Sequence, residues 1–297
     1  MKVTSLPDAE PRPRKVAVGT FDGVHLGHRE VIRGNDTVLT FDPHPLSVIA
    51  PQAVPKLLDS PTIKRDLIAG LEVEELVSIP FDHDFASKSA EEFIDEVLEA
   101  KLGATHVSVG ENFRFGKGAK GDPEMLRERG SFETRVVPLV GVENETVSST
   151  HIRGLVAAGD VERAAKFLGA PFMLEGEVVP GDRRGRELGF PTANIIPADH
   201  LAHPGHGVYA CWAHGRMAAV NVGVRPTFGT GRGLLVEAYL LDFDGDLYGE
   251  TLRIAFARRL RGERRFESAE TLVEQMSRDV EEARNVLLRF PADASDG

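Results

Sequence analysis

The order of apolar and polar positions divides the chain into two halves with different periodicities. In the first half, short β-branched and aliphatic runs at 15–18, 37–41, 76–79, 105–109 and 134–139 alternate with stretches of helical spacing. Strands that alternate with helices predict a parallel sheet covered by helices. One helix is signalled at every level. Ser89 stands as N-cap with Glu92 three residues on, Phe93, Ile94, Val97, Leu98 and Leu102 form its buried stripe, and Gly103 ends it. Another starts at Ser60, with Pro61 in the first helical position and Ile63, Leu67, Ile68 and Leu71 on its apolar side. In an open parallel sheet ligands bind beyond the carboxyl ends of the strands, so the residues that follow each run are the ones to search.

Helical spacing at Val161, Ala164, Ala165 and Leu168 gives way near 169–172 to consecutive strand patterns at 173–179, 207–213, 216–224, 234–241 and 251–258. His214-Gly215 and Asp244-Gly245 are turn signals between some of them. Strands without intervening helices predict an antiparallel barrel or sandwich. A last helix over 268–288 lines up Leu272, Met276, Val280, Ala283 and Leu287, and 291–297 reads as a disordered tail. The change of pattern sets the expected domains at 1–170 and 171–297.

Length agrees with this division, since 297 residues suit two cores better than one. A net charge of -11 argues against a general nucleic-acid binder, while a local positive site for small anions remains possible. The single cysteine, Cys211, excludes an intrachain disulfide framework and a cysteine-rich zinc site. Residues 1–15 lack the apolar core of a signal peptide, and no apolar run reaches the roughly eighteen residues of a membrane span. The expectation is a cytoplasmic protein that acts on small molecules, with no nucleic acid or membrane as partner.

Candidate chemistry begins after the first of these strands, at Gly19-Thr20-Phe21-Asp22-Gly23-Val24-His25-Leu26-Gly27-His28. Two histidines flanking a glycine at a strand-to-helix turn can offer ring nitrogens and backbone N–H groups to a phosphate. The bland reading is a turn glycine with two solvated or capping histidines. Neither a G-x-G-x-x-G fingerprint nor a Walker A lysine loop is present. A second constellation, Ser148-Ser149-Thr150-His151-Ile152-Arg153, opens another helix with hydroxyls and an arginine, and its bland reading is an N-cap run. In the second half, Gly185-Arg186-Glu187-Leu188-Gly189-Phe190-Pro191-Thr192-Ala193-Asn194 enters a strand with Thr192 and Asn194 on one face. Two neutral oxygens side by side suit a Mg²⁺ that takes its other ligands from phosphates and water.

The stretches Gly19 to His28, Thr40 to Pro45, Gly110 to Gly116 and Ser148 to Arg153 together resemble the FMN adenylyltransferase module of bacterial bifunctional riboflavin kinase/FAD synthetases, within the nucleotidyltransferase superfamily. The run Gly185 to Asn194, with Asn221 to Phe228, Glu237 and Leu240 to Gly249, resembles the riboflavin kinase family. The resemblance implies a Rossmann-like α/β nucleotidyltransferase domain followed by an antiparallel β-barrel kinase domain with a C-terminal helix. It implies ATP as co-substrate, Mg²⁺, and riboflavin, FMN and FAD as substrates or products.

On the same resemblance His25 and His28 contact ATP phosphates in a turn shared with Gly19, Phe21 and Gly27. Ser148, Ser149 and Thr150 join them, and Arg153 steadies the charge that develops as FMN attacks the α-phosphorus. Pro43, His44, Asn112, Phe113 and Arg114 lie near the flavin, as do Arg225 and Arg264. In the kinase half, Gly185, Thr192 and Asn194 hold Mg²⁺-ATP and Glu237 takes the proton of the ribityl hydroxyl. Two other readings stand beside it: a monofunctional riboflavin kinase with an inactive first half, and a flavin-binding regulatory protein. Between His28 and Thr40 the chain is shorter than the family pattern by about ten residues, which removes roughly 15 Å of helix beyond the phosphate end.

Overall fold

The computed structural model describes residues 1–181, 189–225 and 233–289. Two compact units emerge, Met1–Pro55 with Pro61–Ser148, and Lys56–Ser60 with Ser149–Gly297. The expected tail at 291–297 and Gly185 lie outside the described residues.

The first unit is a parallel sheet of β1 (Lys2–Ser5), β2 (Arg14–Val18), β3 (Thr37–Asp42), β4 (Glu75–Pro80), β5 (Ala104–Gly110) and β6 (Glu133–Val137), in the order β1-β4-β3-β2-β5-β6. Its helices are α1 (Leu26–Ile32), α2 (Pro45–Ile49), α3 (Pro61–Ala69), α4 (His83–Ala86), α5 (Ala90–Glu92), which runs on as a π-type helix over Phe93–Lys101, and α6 (Pro123–Arg129). A hairpin of β7 (Gly141–Val142) and β8 (Glu145–Thr146) follows β6. Alternate strand residues feed separate cores. Val16, Val18, Leu39, Val107 and Val109 pack with Phe93, Ile94 and Leu98, while Ala17, Val38 and Leu76 pack with Val31, Ile32 and Ile68. Both faces of the sheet are therefore covered, as a parallel sheet requires.

The capping box at Ser89 forms as the sequence predicts, with the Glu92 amide on Ser89 Oγ at 3.1 Å and the Ser89 amide on Glu92 Oε2 at 2.6 Å. Gly103 closes that helix at φ +64°, where a Cβ would stand 2.6 Å from the Arg12 carbonyl oxygen. α1 is short, seven residues over Leu26–Ile32. Gly34 (φ +77°) turns the chain, and Asn35 Nδ2 donates to the carbonyls of Val31 and Ile32 at 2.9 and 3.2 Å. That side chain satisfies the helix's last carbonyls where further turns are absent.

The edge strand β1 is not legible in the sequence, because of its residues only Thr4 is buried. What holds it is tertiary. The Thr4 hydroxyl donates to Glu75 Oε1 at 2.8 Å, and the buried Arg14 guanidinium bonds Glu75 Oε2 through Nε and Nη2 at 3.2 and 3.0 Å. Burial by itself raises the Glu75 carboxyl, but Thr4, Arg14 and Arg12 outweigh it and hold the group below the usual carboxylate range.

The second unit begins with α7 (Ser149–Ala158) and α8 (Val161–Leu168) and continues into a closed antiparallel barrel. Its strands are β9 (Phe172–Val179), β10 (Ala193–Ile196), β11 (Gly207–Ala213), β12 (Arg216–Arg225), β13 (Gly233–Leu240) and β14 (Thr251–Arg261), ordered β10-β13-β12-β11-β14-β9. His214 and Gly215 (φ +52° and +68°) make the two-residue turn between β11 and β12. The final helix, α9 (Ala269–Leu287), packs Ala283, Val286 and Leu287 against Ala210 and Ala219 on the outer face of the barrel. Asp279 interrupts that apolar stripe and is buried, with Arg261 Nη2 on Oδ2 at 2.7 Å and Gln275 Nε2 on Oδ1 at 2.9 Å. A lone carboxylate would not be tolerated there, so the arginine at the end of β14 is what allows the helix to dock.

Within this unit the turn after α7 is also pinned. Arg259 donates to the carbonyls of Ala158 and His206 at 3.3 and 2.6 Å, and the buried Tyr209 hydroxyl donates to the Gly205 carbonyl. Gly159 is required beneath it, since a Cβ at its φ of +80° would stand 2.7 Å from Tyr209 Oη. Burial, only partly offset by Arg259, pushes the Tyr209 hydroxyl up to about 12.

Candidate active sites

In the first unit the order of strands sets the place. β2 has β3 on one side and β5 on the other, so the direction in which the sheet grows reverses at β2. Crevices at such a switch point, beyond the carboxyl ends, are where open α/β sheets bind ligands. The loops that leave β2, β3 and β5 at that end carry Gly19 to His28, Pro43-His44 and Asn112 to Arg114.

The turn after β2 is held in an uncommon backbone conformation, with positive φ at two non-glycine residues, Phe21 (49°) and Val24 (38°). Such strain persists only where the surroundings over-determine it. Both side chains are buried, and the Phe21 ring lies over Gly19, where a Cβ would be 3.0 Å from it. The chain then enters α1 at His25, whose Nδ1 accepts the His28 amide at 3.2 Å. That bond leaves the proton of a neutral His25 on Nε2. The His25 and His28 rings stack at 3.5 Å and 13°, and the edge of His28 meets Phe21 at 5.4 Å. Gly27 lets the backbone pass this stack, since a Cβ there would come within 3.3 Å of the His25 ring.

His25 therefore caps the helix, as the bland reading allowed, and it is buried in a stack rather than solvated. His28 Nδ1 is covered and has no hydrogen-bond partner among the described residues, an arrangement that calls for explanation in a folded protein. Burial first, then His25 and the charge of Lys64, pushes the His28 imidazole well below its usual value, so the ring is neutral at neutral pH. Lys64 is the group that sequence reading missed. It reaches from α3 to donate to the Thr20 carbonyl at 3.0 Å and brings a positive charge to the turn. Its position one turn into a helix carried no signal of this, because only the packing of α3 on the sheet brings it there.

The other expected residues divide into those held by packing and those at the surface. His44 caps α2 through Nδ1 on the Leu46 amide at 3.2 Å, after a cis Asp42–Pro43 peptide. Phe113 stacks on Phe115 at 5.5 Å and packs against the core, while Asn112 and Arg114 are exposed. Ser148 closes the first unit. In the second unit Ser149 opens α7, Thr150 is exposed, and Arg153 Nη1 donates to Thr150 Oγ1 at 3.3 Å.

In the barrel, register assembles the site. Asn194 on β10 lies directly opposite Glu237 on β13, and Glu237 lies directly opposite Asn221 on β12. The adjacent rung, Ile195, Val236 and Val222, is fully buried, which puts Asn194, Glu237 and Asn221 on the outer face. Asn221 Nδ2 donates to Glu237 Oε2 at 3.2 Å. The buried Asn194 amide reaches the Thr192 carbonyl at 3.5 Å and lies over Gly181, where a Cβ would stand 2.2 Å from its Nδ2. Arg264 is exposed between β14 and α9, and the Arg225 side chain lies outside the described residues. Sequence reading placed Asn194 and Glu237 separately; the structure brings them into one rung and adds Asn221.

Both halves have counterparts among known proteins. The FAD synthetase family matches residues 8–151 and the riboflavin kinase family residues 168–287. The bifunctional riboflavin kinase/FMN adenylyltransferase of Bacillus subtilis is 36% identical over 287 residues, covering 90% of each chain. Its Escherichia coli namesake is 34% identical, covering 91% of each. A Streptococcus pneumoniae crystal structure named as a macrolide-efflux protein superposes with a TM-score of 0.86 at 31% identity, over 96% of this chain and 99% of that one. That name belongs to that protein; among the described residues here no helix is long and apolar enough to cross a membrane. With relatives of this identity aligned over nine-tenths of its length, the chain belongs to the bifunctional riboflavin kinase/FMN adenylyltransferase family.

Proposed function

We propose that the two reactions of this family are divided between the two halves of the chain: the barrel half phosphorylates riboflavin with ATP to give FMN, and the sheet half transfers the adenylyl group of a second ATP to FMN, giving FAD and pyrophosphate. The observation that carries this reading is the pairing, on one chain, of a histidine turn at the switch point with a rung that sets a carboxylate between two asparagines.

In the barrel, Glu237 accepts the proton of the ribityl hydroxyl as it attacks the γ-phosphorus. Phosphoryl transfer asks the protein mainly for positioning and charge stabilisation, so one base beside a nucleotide site suffices. Thr192 and the buried Asn194 amide offer the neutral oxygen donors that a hard cation takes, and Asn194 lies one strand from Glu237. These residues fit Mg²⁺, which when bound supplies charge neutralisation on the nucleotide phosphates. Arg225 and Arg264 are assigned to the flavin by family resemblance, as Gly185 is to ATP.

In the sheet half, Gly19, Phe21 and Gly27 shape the turn, and His25 and His28 face the ATP phosphates. The uncharged His28 ring and the charge of Lys64 support this assignment, since together they offer an anion a neutral partner and a cation. Ser148, Ser149, Thr150 and Arg153 join the phosphate site, and Pro43, His44, Asn112, Phe113 and Arg114 the flavin, on the resemblance alone. The domains are taken as 1–170 and 171–297, and the protein is placed in the cytoplasm, where its one cysteine stays reduced. Cys211 is buried and its thiol is pushed up by that burial.

Incubating the protein with riboflavin, ATP and Mg²⁺ and separating the flavins over time tests the whole assignment. FMN followed by FAD is the expected result. FMN that accumulates without FAD would reduce the chain to a kinase, and unchanged riboflavin would leave it a flavin binder.

A further inference from the structure

Asparagine is a poor strand former, so one in mid-strand invites a reason. Asn221 stands in β12 between Val220 and Val222, whose side chains fill the barrel interior. On the outer face of the same strand, Met217 and Ala219 belong to the apolar cluster under α9, and Asn221 is the next residue along that face. Its amide donates to Glu237 Oε2 at 3.2 Å. Among the described residues no cation pairs with Glu237. The amide is neutral, so this bond fixes one carboxylate oxygen without itself bringing a charge.

We infer that Asn221 is a positioning residue for riboflavin phosphorylation, holding Oε2 of Glu237 so that Oε1 is the atom that takes the proton. In that step the substrate O–H bond breaks and its proton goes to Oε1. The new O–P bond forms, the bond from the γ-phosphorus to the bridging oxygen breaks, and ADP leaves with that electron pair. The inference rests on the reading of Glu237 as the base, and a base held in one rotamer loses less to misorientation than one free to rotate.

The test uses the full chain and steady-state FMN formation. Asn221→Ala is expected to lower kcat roughly 10- to 100-fold, the usual cost of removing a group that orients a reacting one, with KM for riboflavin and ATP unchanged. Asn221→Ser, which restores a short donor, regains part of the loss. In a Glu237→Gln background Asn221→Ala costs nothing more, because there is no base left to orient. Additive losses, or wild-type kcat in Asn221→Ala, overturn the inference. Full activity in Glu237→Gln alone would instead overturn the reading of the base. Thermal unfolding of the same preparations reports on integrity of the barrel, and conversion of FMN to FAD on that of the sheet half. Should Asn221→Ala lower barrel stability, the isosteric Asn221→Asp removes the donor and sets two carboxylates together, and retained kcat in that variant overturns the inference equally.

Discussion

The two halves assemble their candidate sites in opposite ways. In the sheet half the histidine turn is one contiguous stretch, Gly19 to His28, bent by positive φ at Phe21, Gly23 and Val24 and locked by the stack of His25 on His28. In the barrel half Asn194, Glu237 and Asn221 come from three strands and meet through register alone. A local turn survives changes elsewhere in the sheet. A register-built rung does not, because slipping β13 by one residue would turn Glu237 inward and bring Val236 or Ala238 to its place.

The largest expected effect separates the two chemistries. Glu237→Gln should lower FMN formation roughly 10²- to 10⁴-fold, the range for a general base, while FAD formation from supplied FMN continues, as flavin separation would show. Loss of both activities in folded protein would mean that the halves do not work independently.

Next in size, Glu75→Gln leaves Arg14 buried without its counter-charge and should destabilise the sheet half by about 3–5 kcal/mol. Urea unfolding followed by hydrogen exchange would place the loss there and not in the barrel. Equal loss in both halves would join them into one cooperative unit. His28→Ala should reverse the first result, lowering FAD formation about 100- to 1000-fold and sparing the kinase.

Acid and alkali should sharpen the contrast further. In the sheet half the resolved shifts at His28 and Glu75 are downward. The unfolded chain then binds more protons, so stability falls as pH drops below the ordinary imidazole value and falls again below the ordinary carboxylate value. In the barrel the buried shifts are upward, at Tyr209, to about 12, and at Cys211. Their contribution is complete below the ordinary thiol and phenol values and is lost as pH rises through the shifted ones. The exposed Asp242–Arg284 pair adds little to this, being screened by solvent. Hydrogen exchange at acidic, neutral and alkaline pH should open the sheet first in acid and the barrel first in alkali; the reverse order would refute the assignment of these groups. Smallest, Ser89→Ala removes one side of the capping box and should cost about 1 kcal/mol, again confined to the sheet half.

The sequence by itself determined the fold class of each half and the elements with strong periodicity, caps or turn residues, because these act over a few neighbours; β1, α2, α4, α6 and the β7–β8 hairpin were not legible in it. Ser89 with Glu92, Pro61 at the first position of α3, and His214-Gly215 each did in the structure what their local chemistry requires. It also determined the histidine turn, whose members are adjacent in the chain. Tertiary structure decided everything that depends on residues far apart. It placed β1 on β4 through Thr4, Arg14 and Glu75, brought Lys64 to the Thr20 carbonyl, buried Asp279 against Arg261, and set Asn221 on Glu237. No local preference encodes these contacts. A buried charge or a strand amide acquires its role only when packing excludes water and leaves a single partner within reach.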